Sequence, residues 1–208
     1  MLQVYKRMQK MREKYVDTLA KLYEYATTVY SKKQYTQWYD TKKGGYTYAS
    51  LKERCDSLSK VLTQYGIGAG DKVAILSQSM PNWSVAFFSL APYGRIVIPI
   101  LPDSSTNEVT NIINHSETKA IFVSQKLAGK ISQEVKEKMV LIIDVDTLEI
   151  IKSDDDHFTC DGKTEVPTPE DIATIIYTSG TTGSAKGVVL SHRNLTANVI
   201  TCYHSCKR

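Results

Sequence analysis

Cysteine is scarce: Cys55, Cys160, Cys202 and Cys206 are irregularly spread along 208 residues. So few, so unevenly placed, they do not make a disulfide framework and fit free thiols in a reducing compartment. The amino terminus lacks an apolar core followed by a small-residue cleavage site, which excludes a secretory signal there. No uninterrupted apolar run approaches the roughly 20 residues of a membrane-spanning helix. The expectation is a cytoplasmic protein, soluble or at most peripheral to a membrane. Neither charge sign dominates. The 26 basic and 22 acidic residues leave a net charge of +4 and are intermixed, so nothing demands a nucleic-acid partner. A mild basic excess also suits polyanionic small molecules. What is present is ordinary for a globular chain, with 42% hydrophobic and 23% charged residues and enough length to bury a core.

Helical and strand periods alternate along most of the chain. Near the start, Val4, Met8, Met11, Tyr15, Thr18 and Leu22 recur in steps of three and four, predicting a helix with one mostly apolar stripe. Lys6, Arg7, Lys10, Arg12 and Lys14 crowd around that stripe. Three partners fit it: its own domain, a second copy, or a membrane surface. Residues 46–48 read as strand-like and lead into a second helix, with Ser50 and Glu53 at capping-box spacing. Leu51, Cys55, Leu58, Leu62 and Tyr65 form its inner face, so Cys55 belongs to the core, and Gly66 ends it. Residues 66–70 superficially resemble a dinucleotide-binding fingerprint. That fingerprint must follow a strand and open a helix, whereas this run does the reverse. It is a turn.

Strands are predicted at 72–76, 96–98, 120–123 and 140–143. Helices between them are opened by Pro81 and by Ser105 with Glu108, and a short helix lies near residues 125–136. Such repetition predicts an α/β fold, a mainly parallel sheet with flanking helices. Residues 152–170 hold Asp154, Asp155, Asp156, Pro167 and Pro169 and read as a polar surface connection, the acidic triplet being solvated. The chain is therefore divided into an N-terminal helical segment (1–45), an α/β subdomain (46–151), the polar connection (152–170), and a strand, loop and helix start (171–208) that form an incomplete domain.

Residues 171–177 form a short apolar strand, and the chemistry begins directly after it. Thr178, Ser179, Gly180, Thr181, Thr182, Gly183, Ser184, Ala185, Lys186 and Gly187 follow, then the apolar Val188, Val189 and Leu190. Polyphosphate oxygens need many donors on a chain that can approach closely. Gly180, Gly183 and Gly187 remove side-chain bulk and let backbone N–H groups converge on one anion. Ser179, Thr181 and Thr182 add hydroxyl donors, Thr178 offers an oxygen to Mg2+, and Lys186 brings a full positive charge. The common P-loop of nucleoside triphosphatases is excluded. It needs a second Gly five residues after the first, then Lys followed by Ser or Thr, whereas Gly180 plus five is Ala185 and Lys186 precedes Gly187.

Residues 177–192 resemble the signature of the adenylate-forming superfamily, which includes acyl-CoA synthetases, luciferases and peptide-synthetase adenylation domains. Residues 46–51, 66–75 and 94–99 resemble that family's earlier landmarks in the right order, so the resemblance runs from about residue 20 to the end. Gly180, Thr181, Thr182 and Gly183, followed by Ser191, His192, Arg193, Asn194 and Leu195, are most similar to long-chain fatty acid–CoA ligases. The resemblance implies the partial N-terminal domain of an enzyme in which a carboxylate attacks the α-phosphorus of ATP, releasing pyrophosphate. Coenzyme A then takes the acyl group. It also implies that Ser179, Gly180, Thr181, Thr182, Gly183 and Lys186 hold phosphate and that Thr178 contacts phosphate and Mg2+. Two alternatives stay open: a non-catalytic ATP- or phosphate-binding module, and an adenylation domain for another carboxylate such as an amino acid.

Family members are much longer than this chain. The segments for adenine, ribose, acyl chain and coenzyme A, and a late catalytic Lys, are expected beyond Arg208. No catalytic residue is therefore assigned, and the chain is expected to be truncated and inert alone. Residues 161–165 approximate an adenine-site segment, but they precede the loop and lack its aromatic residue, so the match is read as coincidence. Cys202, His204 and Cys206 make a poor metal set, because His204 does not share a helix face with the two cysteines. His115 is read as a helix-end residue, His157 as a loop residue, and His192 receives no chemistry.

Overall fold

A computed structural model of the chain describes residues 16–39, 44–158, 164–178 and 186–205. The first described helix, α1, is Leu19–Val29. Thr18 is its N-cap, accepting from the Lys21 N–H, and Leu19, Tyr23 and Thr27 are its buried residues. Thr18 and Leu22, the described members of the expected stripe, both face the core, Thr18 buried and Leu22 packed against it. Thr18 caps the helix with extended backbone, and the i, i+4, i+8 row starts at Leu19. Val4, Met8, Met11 and Tyr15 lie outside the described residues.

Strands β1 (Gln34–Gln37) and β2 (Gly45–Thr47) form an antiparallel ribbon. Gly45 is required there: a Cβ would lie 2.1 Å from the Thr36 carbonyl oxygen. Helix α2 (Tyr48–Gln64) begins one residue after β2, so Tyr48 is helical, not strand. Its cap is also corrected. Thr47 and Ser50 make the capping box, because the strand delivers Thr47 in the extended conformation and Ser50 falls at the third helical position. At the other end Gly66 has φ of +69°. The Gly66 N–H donates to Thr63 and the Ile67 N–H to Leu62, the paired bonds that close a helix through a left-handed glycine.

The remaining elements alternate. Strand β3 is Lys72–Leu76, α3 is Pro81–Phe88, and β4 is Ile96–Ile100. Helix α4 (Thr106–Ser116) carries the expected Ser105–Glu108 capping box, and β5 is Ala120–Val123. The helix expected near 125–136 is two pieces, a 3-10 turn over Gln125–Lys130 and α5 (Gln133–Lys138). Ser132 interrupts them by capping α5 through the Val135 N–H. Strand β6 is Leu141–Asp144 and β7 is Ile150–Ser153, the latter lying across the expected start of the polar connection. Strand β8 is Ile172–Thr178, β9 is Lys186–Ser191, and α6 is His192–Ser205.

Seven strands form one sheet in the order β7-β6-β5-β3-β4-β8-β9. The five inner strands run parallel, and the outer pairs β6/β7 and β8/β9 are antiparallel. Successive residues of β3 serve opposite faces. Val73 and Ile75 join a core with Leu51, Cys55, Leu62, Val85 and Phe122, beneath α1, α2 and α3. Ala74 and Leu76 join a second core with Ile98, Val109, Ile113 and Ile121, beneath α4 and α5. A sheet covered on both faces requires strands apolar on both sides, which is why they read as unbroken hydrophobic runs.

Candidate functional site

The site is built on the β8–β9 hairpin. Ala173 and Thr174 fix β8 in the sheet, both buried, with Thr174 registered on Val97 of β4 and its hydroxyl donating to the Val97 carbonyl at 2.7 Å. Beyond Thr174 the register is with β9: Ile175 opposite Val189, Ile176 opposite Val188, Tyr177 opposite Gly187, and Thr178 opposite Lys186. The two ends of the glycine- and hydroxyl-rich stretch therefore face one another at the carboxyl end of a parallel strand. In open α/β sheets, that edge is where ligands bind. Thr178 and Lys186 are both exposed, so a hydroxyl and an ammonium are presented to solvent at this edge. Ser179, Gly180, Thr181, Thr182 and Gly183 lie outside the described residues.

Tyr177 anchors this edge. Its ring is buried, 8% exposed, and its hydroxyl oxygen lies 2.7 Å from His115 Nδ1 on α4, the rings meeting edge to face at 5.6 Å. Burial raises the phenol's pKa, so it remains protonated. Gly187 makes room for the ring: a Cβ there would lie 2.8 Å from Ile175 Cγ2 and 3.4 Å from Tyr177 Cζ. Gly187 thus serves packing in addition to the closeness its sequence context suggested. A cavity of about 220 Å³ adjoins Tyr177 and Thr178, walled by Ile100, Leu101, Glu108 and Ile112.

The residues after β9 explain the Ser191-to-Asn194 pattern. The Ser191 N–H donates to Asn194 Oδ1 at 3.0 Å and the Asn194 N–H to Ser191 Oγ at 3.3 Å, a reciprocal cap at the start of α6. His192 is fully buried. Its Nδ1 accepts the Leu19 N–H at 3.2 Å, tying the hairpin's exit to the first turn of α1. This fixes the ring's proton on Nε2, which has no hydrogen-bond partner among the described residues. The sequence gives no sign of this role for His192, since a contact across 173 positions has no local signature.

Burial holds the His192 pKa below its ordinary value, against the opposing pull of Asp171. The native state therefore binds fewer protons here than the unfolded chain. Stability from this group is complete above about pH 6.5 and is lost as pH falls below it toward the depressed folded value. His192→Asn, which keeps an acceptor but does not titrate, should flatten the decline in thermal midpoint between about pH 7 and 5. Identical slopes for the two proteins would contradict this.

The other histidines divide. His157 is exposed and sits 3.0 Å from Asp154 in the 3-10 turn Asp155–His157, as a loop residue should. His115 is the neighbour of Tyr177 that its sequence position does not reveal. The sequence shows only its spacing from Glu108 and Ile112, which puts all three on one flank of α4. The side chain of His204, and Cys206, lie outside the described residues. No helix among the described residues is long and apolar enough to cross a membrane.

Residues 25–208 match the family described as AMP-binding enzyme. The chain is 28% identical over 180 residues to fatty acyl-CoA synthetase A of Dictyostelium discoideum, covering 77% of this chain and 27% of that protein. It is 30% identical over 149 residues to tyrocidine synthase 2 of Brevibacillus parabrevis, covering 72% of this chain and 4% of that protein. Among solved structures, the fatty acyl-adenylate ligase of L. pneumophila, in complex with acyl adenylate and pyrophosphate, superposes with a TM-score of 0.72 at 22% identity. That match covers 91% of this chain and 33% of the other. The fold is thus that of the N-terminal part of such proteins, and the chain spans well under half of each.

Proposed function

The chain belongs to the AMP-binding enzyme family, and from that premise we propose that it is the phosphate-binding part of a long-chain fatty acid–CoA ligase. The complete reaction is assigned to a protein that also supplies the segments its relatives carry beyond this one. A fatty acid carboxylate attacks the α-phosphorus of ATP, the bond to the bridging oxygen of the β-phosphate breaks, and pyrophosphate leaves. The thiol of coenzyme A then attacks the acyl carbonyl and AMP departs.

Within this chain the work is to position the leaving pyrophosphate and offset its charge. Lys186 supplies the cation, and Ser179, Gly180, Thr181, Thr182 and Gly183 supply amide and hydroxyl donors. Thr178 offers a hydroxyl oxygen, the donor type that suits Mg2+ shared with phosphate oxygens and water. Bound there, Mg2+ would neutralise phosphate charge. The observation that carries the reading is the register of Thr178 on Lys186 at the carboxyl edge of the sheet. A hydroxyl and an ammonium are thereby brought opposite one another. The 28% identity to a fatty acyl-CoA synthetase supports the acyl class.

The 30% identity to tyrocidine synthase 2 favours a second reading, adenylation of an amino acid. ATP–pyrophosphate exchange by the full-length protein separates the two. With a panel of long-chain, short-chain, aromatic and amino acids, exchange should be greatest with long-chain fatty acids and should yield acyl-CoA when coenzyme A is added. Exchange confined to amino acids would replace the first reading by the second. The 208-residue chain alone should form no acyl-CoA.

A further inference from the structure

The distal half of the β8–β9 hairpin runs beside the carboxyl end of β4 and reaches the edge of the sheet. The registered contact of β8 with β4 is Val97 with Thr174. Residues 175–178 continue past it and pair with 186–189 of β9, the outermost strand. Beyond the end of β4 at Ile100 the hairpin has no further strand beside β8 among the described residues, so side chains that reach back to the body help set its direction there. Tyr177 is such a side chain. It lies one residue before Thr178, is seated against Gly187, and reaches α4 through His115.

We propose that His115 is a positioning residue for the phosphate site. By hydrogen-bonding the Tyr177 hydroxyl, it sets the direction in which Thr178 and Lys186 leave the sheet and so the geometry offered to polyphosphate. The inference rests on the reading of that edge as a phosphate site. His115 itself is exposed, and its hydrogen-bond partner among the described residues is Tyr177, not Thr178 or Lys186. It acts through one phenol. Either tautomer serves, since the phenol donates to a bare Nδ1 or accepts from a protonated one.

The test uses the 208-residue chain, with Mg2+–tripolyphosphate as probe and affinity read by calorimetry. His115→Leu removes the bond at an exposed position, and Tyr177→Phe removes it from the other side while keeping the ring. Each should weaken binding about tenfold, roughly what one hydrogen bond can contribute. The double variant should bind no more weakly than either single one, because both delete the same bond. His115→Asn, which returns a polar atom near the Nδ1 position, should recover affinity to within about twofold.

A lowered thermal midpoint with unchanged affinity in His115→Leu would show a purely structural contact and overturn the proposal. So would additive losses in the double variant. Lys186→Ala serves as the reference. If it weakens binding and His115→Leu does not, the positioning role fails alone. If the wild-type chain binds nothing, or Lys186→Ala binds as well as wild type, the phosphate reading itself fails.

Discussion

Lys186→Ala should lower ATP–pyrophosphate exchange by the full-length protein about 100-fold or more, the scale at which removing one preorganised charge-stabilising donor acts. The same change should leave the thermal midpoint within about 2 °C, because exposed substitutions away from packed features usually cost under about 0.5 kcal/mol. Lys186 is exposed at the start of β9 and forms none of the observed ion pairs among the described residues. Its ammonium therefore contributes little to folding and remains available to a ligand. Lys186→Arg keeps the charge but spreads it over a planar fork, and should recover only part of the activity. Exchange within about threefold of wild type in Lys186→Ala would remove this residue from the site.

Arg95→Ala should be the most destabilising substitution in the chain, by about 3–5 kcal/mol. Among the described residues Arg95 is the bulkiest fully buried side chain. Its Nε donates to the Ile67 carbonyl at 2.8 Å, Nη1 to Ser59 Oγ at 2.9 Å, and Nη2 to Thr63 Oγ1 at 2.7 Å and the Ser59 carbonyl at 3.1 Å. One guanidinium thus binds the last turns of α2 and the loop after it to the start of β4. Burial lowers its pKa to about 10, and Asp71 opposes that shift, so the group stays charged at neutral pH. Truncation would take from the buried Ile67 carbonyl and Ser59 hydroxyl the donor they have here and open a large void. Against a total of about 5–15 kcal/mol, such a loss lowers the thermal midpoint by about 10 °C or more. Arg95→Lys should recover little, since a point cation cannot reach acceptors spread around a planar fork. A loss under about 1 kcal/mol in urea unfolding would show that the network contributes rigidity without stability.

How legible the chain was depended on the range of each interaction. Strands β3 and β5 were delimited correctly because continuous apolar runs end at turn residues, and those runs are apolar on both faces for a stated reason. The Ser105–Glu108 cap was read because its partners sit three residues apart. The Thr47–Ser50 cap was placed three residues late, since only the end of β2 determines which residue enters the helix in extended form. Strand β7 has no burial signature in the sequence. Ile150 and Ile151 are 44% and 56% exposed on an edge strand, so no burial pattern betrays them. At the site, Thr178 and Lys186 could be named from chemistry, but their pairing across the hairpin could not. The contacts that fix its surroundings, Tyr177 with His115 and His192 with Leu19, span 62 and 173 positions. Arg95 gave no hint either, standing in an apolar landmark where a buried charge would not be looked for.

The direct test is amide chemical-shift mapping of the isotopically labelled chain during titration with Mg2+–tripolyphosphate. Saturable shifts at Thr178, Lys186 and the residues between them, lost in Lys186→Ala, are the predicted result. Shifts confined to other parts of the surface, or an unchanged titration in the variant, would mean that the carboxyl edge of β8 is not where phosphate binds.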